Sequence, residues 1–263
     1  MAETSMSAPT QSLGVGALIS ESFSILFKNI PAVIMIGFLP MLASAVIGGM
    51  LQGWDAMLGT ATPTFSSGGE IFMFILSMVV QMGIYGIMIA MLVQFAYDVK
   101  LGRSVNISRY FGPAMAALVP VVALTIVVTI LVAIGFIALV VPGLWLYAVF
   151  SIVVPIIVIE RAGFGAMGRS AALTKGYRWP IVGLLAVTWI CMILIGMLFG
   201  VIVGFAIYGL GTSFVGVLVM VLLISVINGF TYSLFGIATS LIYARLREIK
   251  EGVGVDQLAS VFE

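Results

Sequence analysis

Chemistry has few places to happen in this chain. Histidine is absent and Cys191, the single cysteine, sits inside an apolar run, so the sequence carries no CxxC metal or redox site and no disulfide framework. General acid–base catalysis needs titratable groups in a pocket, yet no Asp, Glu, Lys or Arg falls in the middle of a long apolar run. No P-loop, HExxH, GxSxG or carboxylate cluster is found. No catalytic residue, metal ligand set or cofactor is therefore expected. Two weaker chemistries remain. The basic side chains Lys28, Arg109, Arg169, Lys175 and Arg178 stand beside apolar runs, where they can contact anionic phospholipid headgroups; the plainer reading makes them topology signals only. The uncharged polar residues Gln81, Thr125, Thr129, Ser151, Thr188, Ser225, Asn228 and Thr231 lie within those runs. Gln81 and Asn228 could line a polar path, whereas the plainer reading has such side chains bonding between helices or to their own backbone.

The elements that hold these residues are set by composition. Of the 263 residues 62% are apolar and 8% charged, with a mean hydropathy of +1.28, against about 25% charged for soluble proteins. Lipid must solvate most of this surface. The net charge of +1 offers no argument for nucleic acid as a partner. The predicted fold is all-α, a polytopic membrane helix bundle of six transmembrane helices arranged as three hairpins with short interfacial amphipathic helices. Residues 1–18 read as a polar tail without signal-peptide features, 19–252 as the membrane domain, and 253–263 as a second tail with Val255, Leu258, Val261 and Phe262 as docking candidates.

The predicted spans are Ile30 to Leu51, Glu70 to Ala96, Pro113 to Leu139, Leu144 to Ile159, Trp179 to Ile207, and Ser213 to Ala244 running on toward Gly252. Val141-Pro142-Gly143 reads as the turn between the third and fourth. Three short amphipathic segments precede hairpins. One starts at Ile19, with Ile19, Phe23, Leu26, Phe27 and Ile30 on one face, and can alternatively be the first turns of the next span. The second covers Ser104 to Gly112. The third runs from Gly163 to Lys175, with Ala166, Met167, Ser170, Leu173 and Thr174 on one face, Arg169 and Lys175 turned away, and Gly176 as its stop. Lys28…Pro31, Arg109…Pro113 and Arg178…Pro180 each put a basic residue just before a proline that opens a span. Either a triplicated unit or the general preference of span starts for basic flanks and prolines produces that pattern.

Six spans collect all 11 basic residues on one side, because the connections Gln52 to Gly69, Val141 to Gly143 and Gly209 to Thr212 hold no Lys or Arg. Positive flanks stay in the cytoplasm, which predicts both termini inside.

The run Ile159-Glu160, Ala166-Met167, Arg169-Ser170, Leu173-Thr174-Lys175-Gly176 and Trp179 resembles the pattern of a bacterial membrane family. That family comprises the membrane domain of glycerophosphoryl diester phosphodiesterase and the related YciC-type inner membrane proteins. Val141-Pro142-Gly143, Asp98…Gly102-Arg103 and Tyr243…Leu246-Arg247…Lys250-Glu251-Gly252 fit the same resemblance, which covers Leu18 to Glu263. It implies a multi-pass protein of the bacterial inner membrane. The phosphodiesterase activity of that family belongs to a separate soluble domain, so no catalytic residue carries over. Two functional classes follow: a non-catalytic scaffold, accessory or lipid-organising module, or a facilitative transporter with a polar path between hairpins. Expected partners are membrane lipids and either another membrane protein or a second copy of the chain.

Overall fold

The computed structural model describes residues 12–62, 65–211 and 213–252. Among them the chain forms α1 (Val15–Lys28), α2 (Ile30–Gln52), α3 (Trp54–Leu58), α4 (Gly68–Lys100), α5 (Ile107–Ala116), α6 (Leu118–Ala138), α7 (Val140–Phe150), α8 (Val153–Glu160), a 3-10 turn (Gly163–Gly165), α9 (Ala166–Thr174), α10 (Arg178–Leu210) and α11 (Phe214–Glu251). Six stretches are long and apolar enough to cross a membrane: α2, α4, α6, α7 with α8, α10 and α11. Helix is what such sequences must adopt in lipid, since every backbone N–H and C=O then bonds within its own segment. The protein is an all-α multi-pass membrane protein.

The hairpins are α2–α4, α6–α7 and α10–α11, and their packing is cyclic. The return helix of each hairpin meets the outgoing helix of the next: α4 meets α6, α7 meets α10, and α11 meets α2. The short helices follow the same rule, α5 lying on α4, α9 on α8 and α7, and α1 on α11. Inside this ring the return helices α4, α8 and α11 touch one another.

Burial is concentrated at one end. Met88–Tyr97 of α4, Pro155–Ile159 of α8 and Leu241–Ala244 of α11 are buried, and these segments lead directly to Lys100, Arg161 and Arg245. The basic clusters therefore gather at the packed end of the bundle. Where α2 crosses α11, a Cβ added to Gly37 would stand 2.5 Å from the Gly229 carbonyl oxygen, so only two glycines allow the backbones to meet. Gly236 admits Leu92 in the same way, and Gly86 admits Val121. Gly200 and Gly204 face open space.

Several elements differ from expectation. Helix α1 begins at Val15 rather than Ile19 and is separate from α2, the chain breaking at Asn29 (φ −125, ψ 35). Its buried residues are Leu18, Ser22, Ile25 and Leu26, while Phe27 is exposed, so the buried stripe is rotated toward the bundle. Pro113 lies inside α5 instead of opening the third span. The reversal between the third and fourth spans is made by the extended residue Leu139, not by Val141-Pro142-Gly143, which sit in the first turns of α7, where a proline lacks no bond it would have made. The fourth span is broken at Ser151–Ile152, because Pro155 has no N–H to return to the Ser151 carbonyl.

Candidate functional site

The break in the fourth span explains the most recognisable motif. Helix α7 stops at Phe150, so its last carbonyls lose the partners a continuing helix would give. Ser170 of α9 supplies one: its hydroxyl donates to the Val149 carbonyl at 2.6 Å, while the Thr174 hydroxyl, one turn on along the same face, donates to the Ser170 carbonyl at 2.8 Å and stands 3.4 Å from Val149. Ala166, Ser170, Leu173 and Thr174 are buried. The α9 face thus packs into protein and not only into headgroups. Gly176, at φ 88, turns the chain into α10.

Next to this joint lies a network of charges. Glu160, at the end of α8, accepts from Arg169 Nε at 2.8 Å and from Tyr243 Oη at 2.8 Å. Arg169 Nη2 reaches Glu251 at 2.5 Å, Arg247 Nε reaches Glu251 at 2.8 Å, and Arg247 stands 3.9 Å from Glu160. Glu160 keeps only 18% of its side chain exposed. Two carboxylates and two guanidinium groups neutralise one another where α8, α9 and α11 converge. The bond from Glu160 holds the Arg169 guanidinium above its ordinary pKa, against a smaller opposing effect of burial. Arg169 was expected to turn away from the buried face, but it points inward to this network.

The first hairpin repeats the device with other residues. Asp98, at the end of α4, accepts from Tyr110 Oη of α5 at 2.6 Å, and Gln94 Nε2 donates to the Tyr110 carbonyl at 3.0 Å. Burial, then the bond to Asp98, raises the Tyr110 pKa. Lys100 bonds Glu21 of α1 at 2.9 Å, and Arg245 donates to the Ser12 carbonyl. Each return helix thus ends in a polar clasp on a short helix. At this end Glu21, Asp98, Glu160, Glu248 and Glu251 all have partners.

The cations are treated differently. Lys28, Arg109, Arg161 and Lys175 are exposed, and their side chains have no hydrogen bond or ion pair among the described residues. Arg178 lies 4.2 Å over the Trp145 ring and donates to the Ala171 carbonyl, leaving its buried Nε unbonded. Of the five predicted headgroup contacts, Lys28, Arg109 and Lys175 stand free at the rim, while Arg169 and Arg178 are engaged inside it.

The two polar-path candidates lie on different helices, Gln81 on α4 and Asn228 on α11. Gln81 donates to Ser77 Oγ at 2.7 Å, Gln52 of α2 reaches the same hydroxyl, and the three join α2 to α4. Asn228 is half-buried on α11 and has no hydrogen bond among the described residues. Neither residue lines the cavities described here. At the end opposite the cations, a cavity of about 550 Å³ has Trp54, Asp55, Phe65 and Glu70 in its wall. A second cavity, of about 440 Å³, opens beside Arg161 at the basic end. Among the described residues no three His, Cys, Asp or Glu side chains come together in a way that could hold a metal ion.

Scans of family models, curated proteins and solved structures find no match to the chain. Sequence reasoning singled out Arg169 but missed its partners Glu160, Tyr243, Arg247 and Glu251 as a unit. The signal was present in the charged exit after Ile159 and in the Tyr243…Arg247…Glu251 spacing, which places three residues on one side of a helix at i, i+4 and i+8.

Proposed function

We propose that this chain is a non-catalytic, lipid-organising module of a bacterial inner membrane, with its basic end in the cytoplasm. The observation that supports this most directly is the asymmetry of pairing at the packed end. Every described carboxylate there is engaged within the protein, while Lys28, Arg109, Arg161 and Lys175 project unpaired around the rim. Each such cation near an anionic leaflet contributes about 1 kcal/mol of attraction, falling off within a Debye length. Lipids with acidic headgroups are the natural counter-charge, and the family resemblance of the Arg169-Ser170…Lys175-Gly176 motif fits a membrane domain without chemistry of its own. The alternative, a facilitative path along Gln81 and Asn228, draws no support from the described cavities, which neither residue lines.

The test is lipid retention by purified protein from nanodiscs of mixed phosphatidylglycerol and phosphatidylethanolamine. Phosphatidylglycerol should be enriched around the protein, less so at high salt; retention in proportion to the bulk mixture would remove this reading. Orientation is checked separately in a Cys191→Ala background. A membrane-impermeant thiol reagent on intact cells should label a cysteine at Ser66 and spare one at Ser104. The purified chain should release no glycerol phosphate from glycerophosphodiesters, and metal-dependent release abolished by a substitution within the chain would make it an enzyme.

A further inference from the structure

The cavity of about 440 Å³ at the basic end is a groove built from two places remote in sequence. Gly112, Pro113, Ala116, Ala117 and Pro120, from α5 and the start of α6, form one wall. Ile157 and Val158 of α8, with Arg161 and Gly163, form the other. Its size falls within the range of about 300–1,000 Å³ usual for small-molecule sites. Arg161 is the one charged residue in its lining.

Arg161 is unusual on two counts. Among the described residues it is the one non-glycine at positive φ, at 52°, a conformation that costs roughly 1–2 kcal/mol outside glycine. Its guanidinium also has no hydrogen bond or ion pair among the described residues, although Glu160 beside it binds Arg169 and Tyr243. Phe111 and Phe164, next in sequence to the lining residues Gly112 and Gly163, are 54% and 65% exposed. Large apolar rings left bare in the segments that carry an exposed cation fit a surface where hydrocarbon gives way to headgroup.

We infer that this groove is a specific site for one anionic phospholipid, its phosphodiester on Arg161 and part of an acyl chain between Pro113–Pro120 and Ile157–Val158. The inference rests on the lipid-organising reading and narrows it from a diffuse rim to one bound molecule. Charge complementarity selects the occupant. A guanidinium binds phosphate by two parallel N–H donors, and phosphate is the anion that lipid presents at this depth. The groove adds what a free anion could not use, an apolar channel that begins at the same residue.

Native mass spectrometry of protein released from phosphatidylglycerol–phosphatidylethanolamine nanodiscs tests it. One phosphatidylglycerol should survive removal of the looser lipids. Arg161→Gly should lower its occupancy about five- to ten-fold, as should Ala116→Phe, which fills the groove from an exposed position. Arg161→Gly also relieves the positive φ, so its Tm should hold or rise and misfolding cannot explain the loss. Arg161→Lys should retain more lipid than Arg161→Gly, and glycerol phosphate alone should not displace the bound molecule. Wild-type occupancy in both Arg161→Gly and Ala116→Phe would overturn the site while leaving a general preference for anionic lipid standing. Equal retention of phosphatidylethanolamine, or displacement by glycerol phosphate, would overturn it as well. A wild-type protein without any preference for phosphatidylglycerol would remove both the site and the broader reading.

Discussion

The two ends of the bundle solve the same problem in opposite ways. At the basic end, α4, α8 and α11 lose almost all contact with solvent, and small residues, hydroxyls and ion pairs join them. At the other end Ile137 (86% exposed), Phe205 (73%), Phe214 (84%) and Met197 (66%) stand bare. In water that end would collapse or aggregate. In hydrocarbon there is no driving force to bring leucines together, because lipid tails are as apolar as they are. Tight association then depends on close backbone approach and satisfied polar groups; the ion pairs lie at the basic end, while the other end has the Gln52–Ser77–Gln81 join and the approach of Gly135 to Gly143 within its hairpins. The comparison teaches that in this chain polar and small residues, not apolar ones, mark where the helices hold together.

The largest expected effect comes from opening the charge network. Glu160→Gln leaves Arg169, Arg247 and Tyr243 around a neutral amide and should cost about 3 kcal/mol or more, read as a lowered Tm in nanodiscs. A loss below about 0.5 kcal/mol would mean that the packed end does not depend on these charges. Gly37→Ala forces a methyl against the Gly229 carbonyl and should destabilise by about 1–3 kcal/mol through separation of α2 and α11. Ser170→Ala leaves the Val149 carbonyl at the broken span without its short donor, at about 1–3 kcal/mol, read as a lowered Tm. The smallest effect belongs to the open end: Gly200→Ala and Gly204→Ala add methyls to empty space and should change stability by less than about 1 kcal/mol, in the stabilising direction through helix propensity. Destabilisation there as large as at Gly37 would reveal a packing partner on α10 and dissolve the contrast between the ends.

The spans were legible because lipid imposes one rule, apolar length, and the sequence obeys it locally. The gathering of basic residues at one end was legible for the same reason: six crossings leave Lys28, Lys100, Arg178 and Arg245 on one side. What escaped was set by contacts between distant segments. Arg169 reads as turned away from the buried face of α9, yet it stands one turn before Leu173, at the edge of that face, and nothing nearby in sequence says that Glu251 waits there. The reversal at Leu139 escaped because Pro-Gly reads as a turn, although proline is equally at home in a helix's first turns. The unpaired state of Arg161 could not be read locally either, since its neighbour Glu160 was the obvious partner and was already taken.

The cyclic packing has a consequence for the order of assembly. Helix α1 leaves the ribosome well before the helices it rests on, α10 and α11. At about 5–20 residues per second, the synthesis of the intervening chain takes roughly 10–45 s. During that time Leu18, Ile25 and Leu26 have no protein to cover them, and an amphipathic helix in this position is held at the membrane surface by its apolar face. The ring therefore closes from its two ends at once and late, when α11 inserts, meets α2 through Gly229, and receives α1. Loss of α11 would cost more than one span: it would also uncover the face of α1 that rests on it.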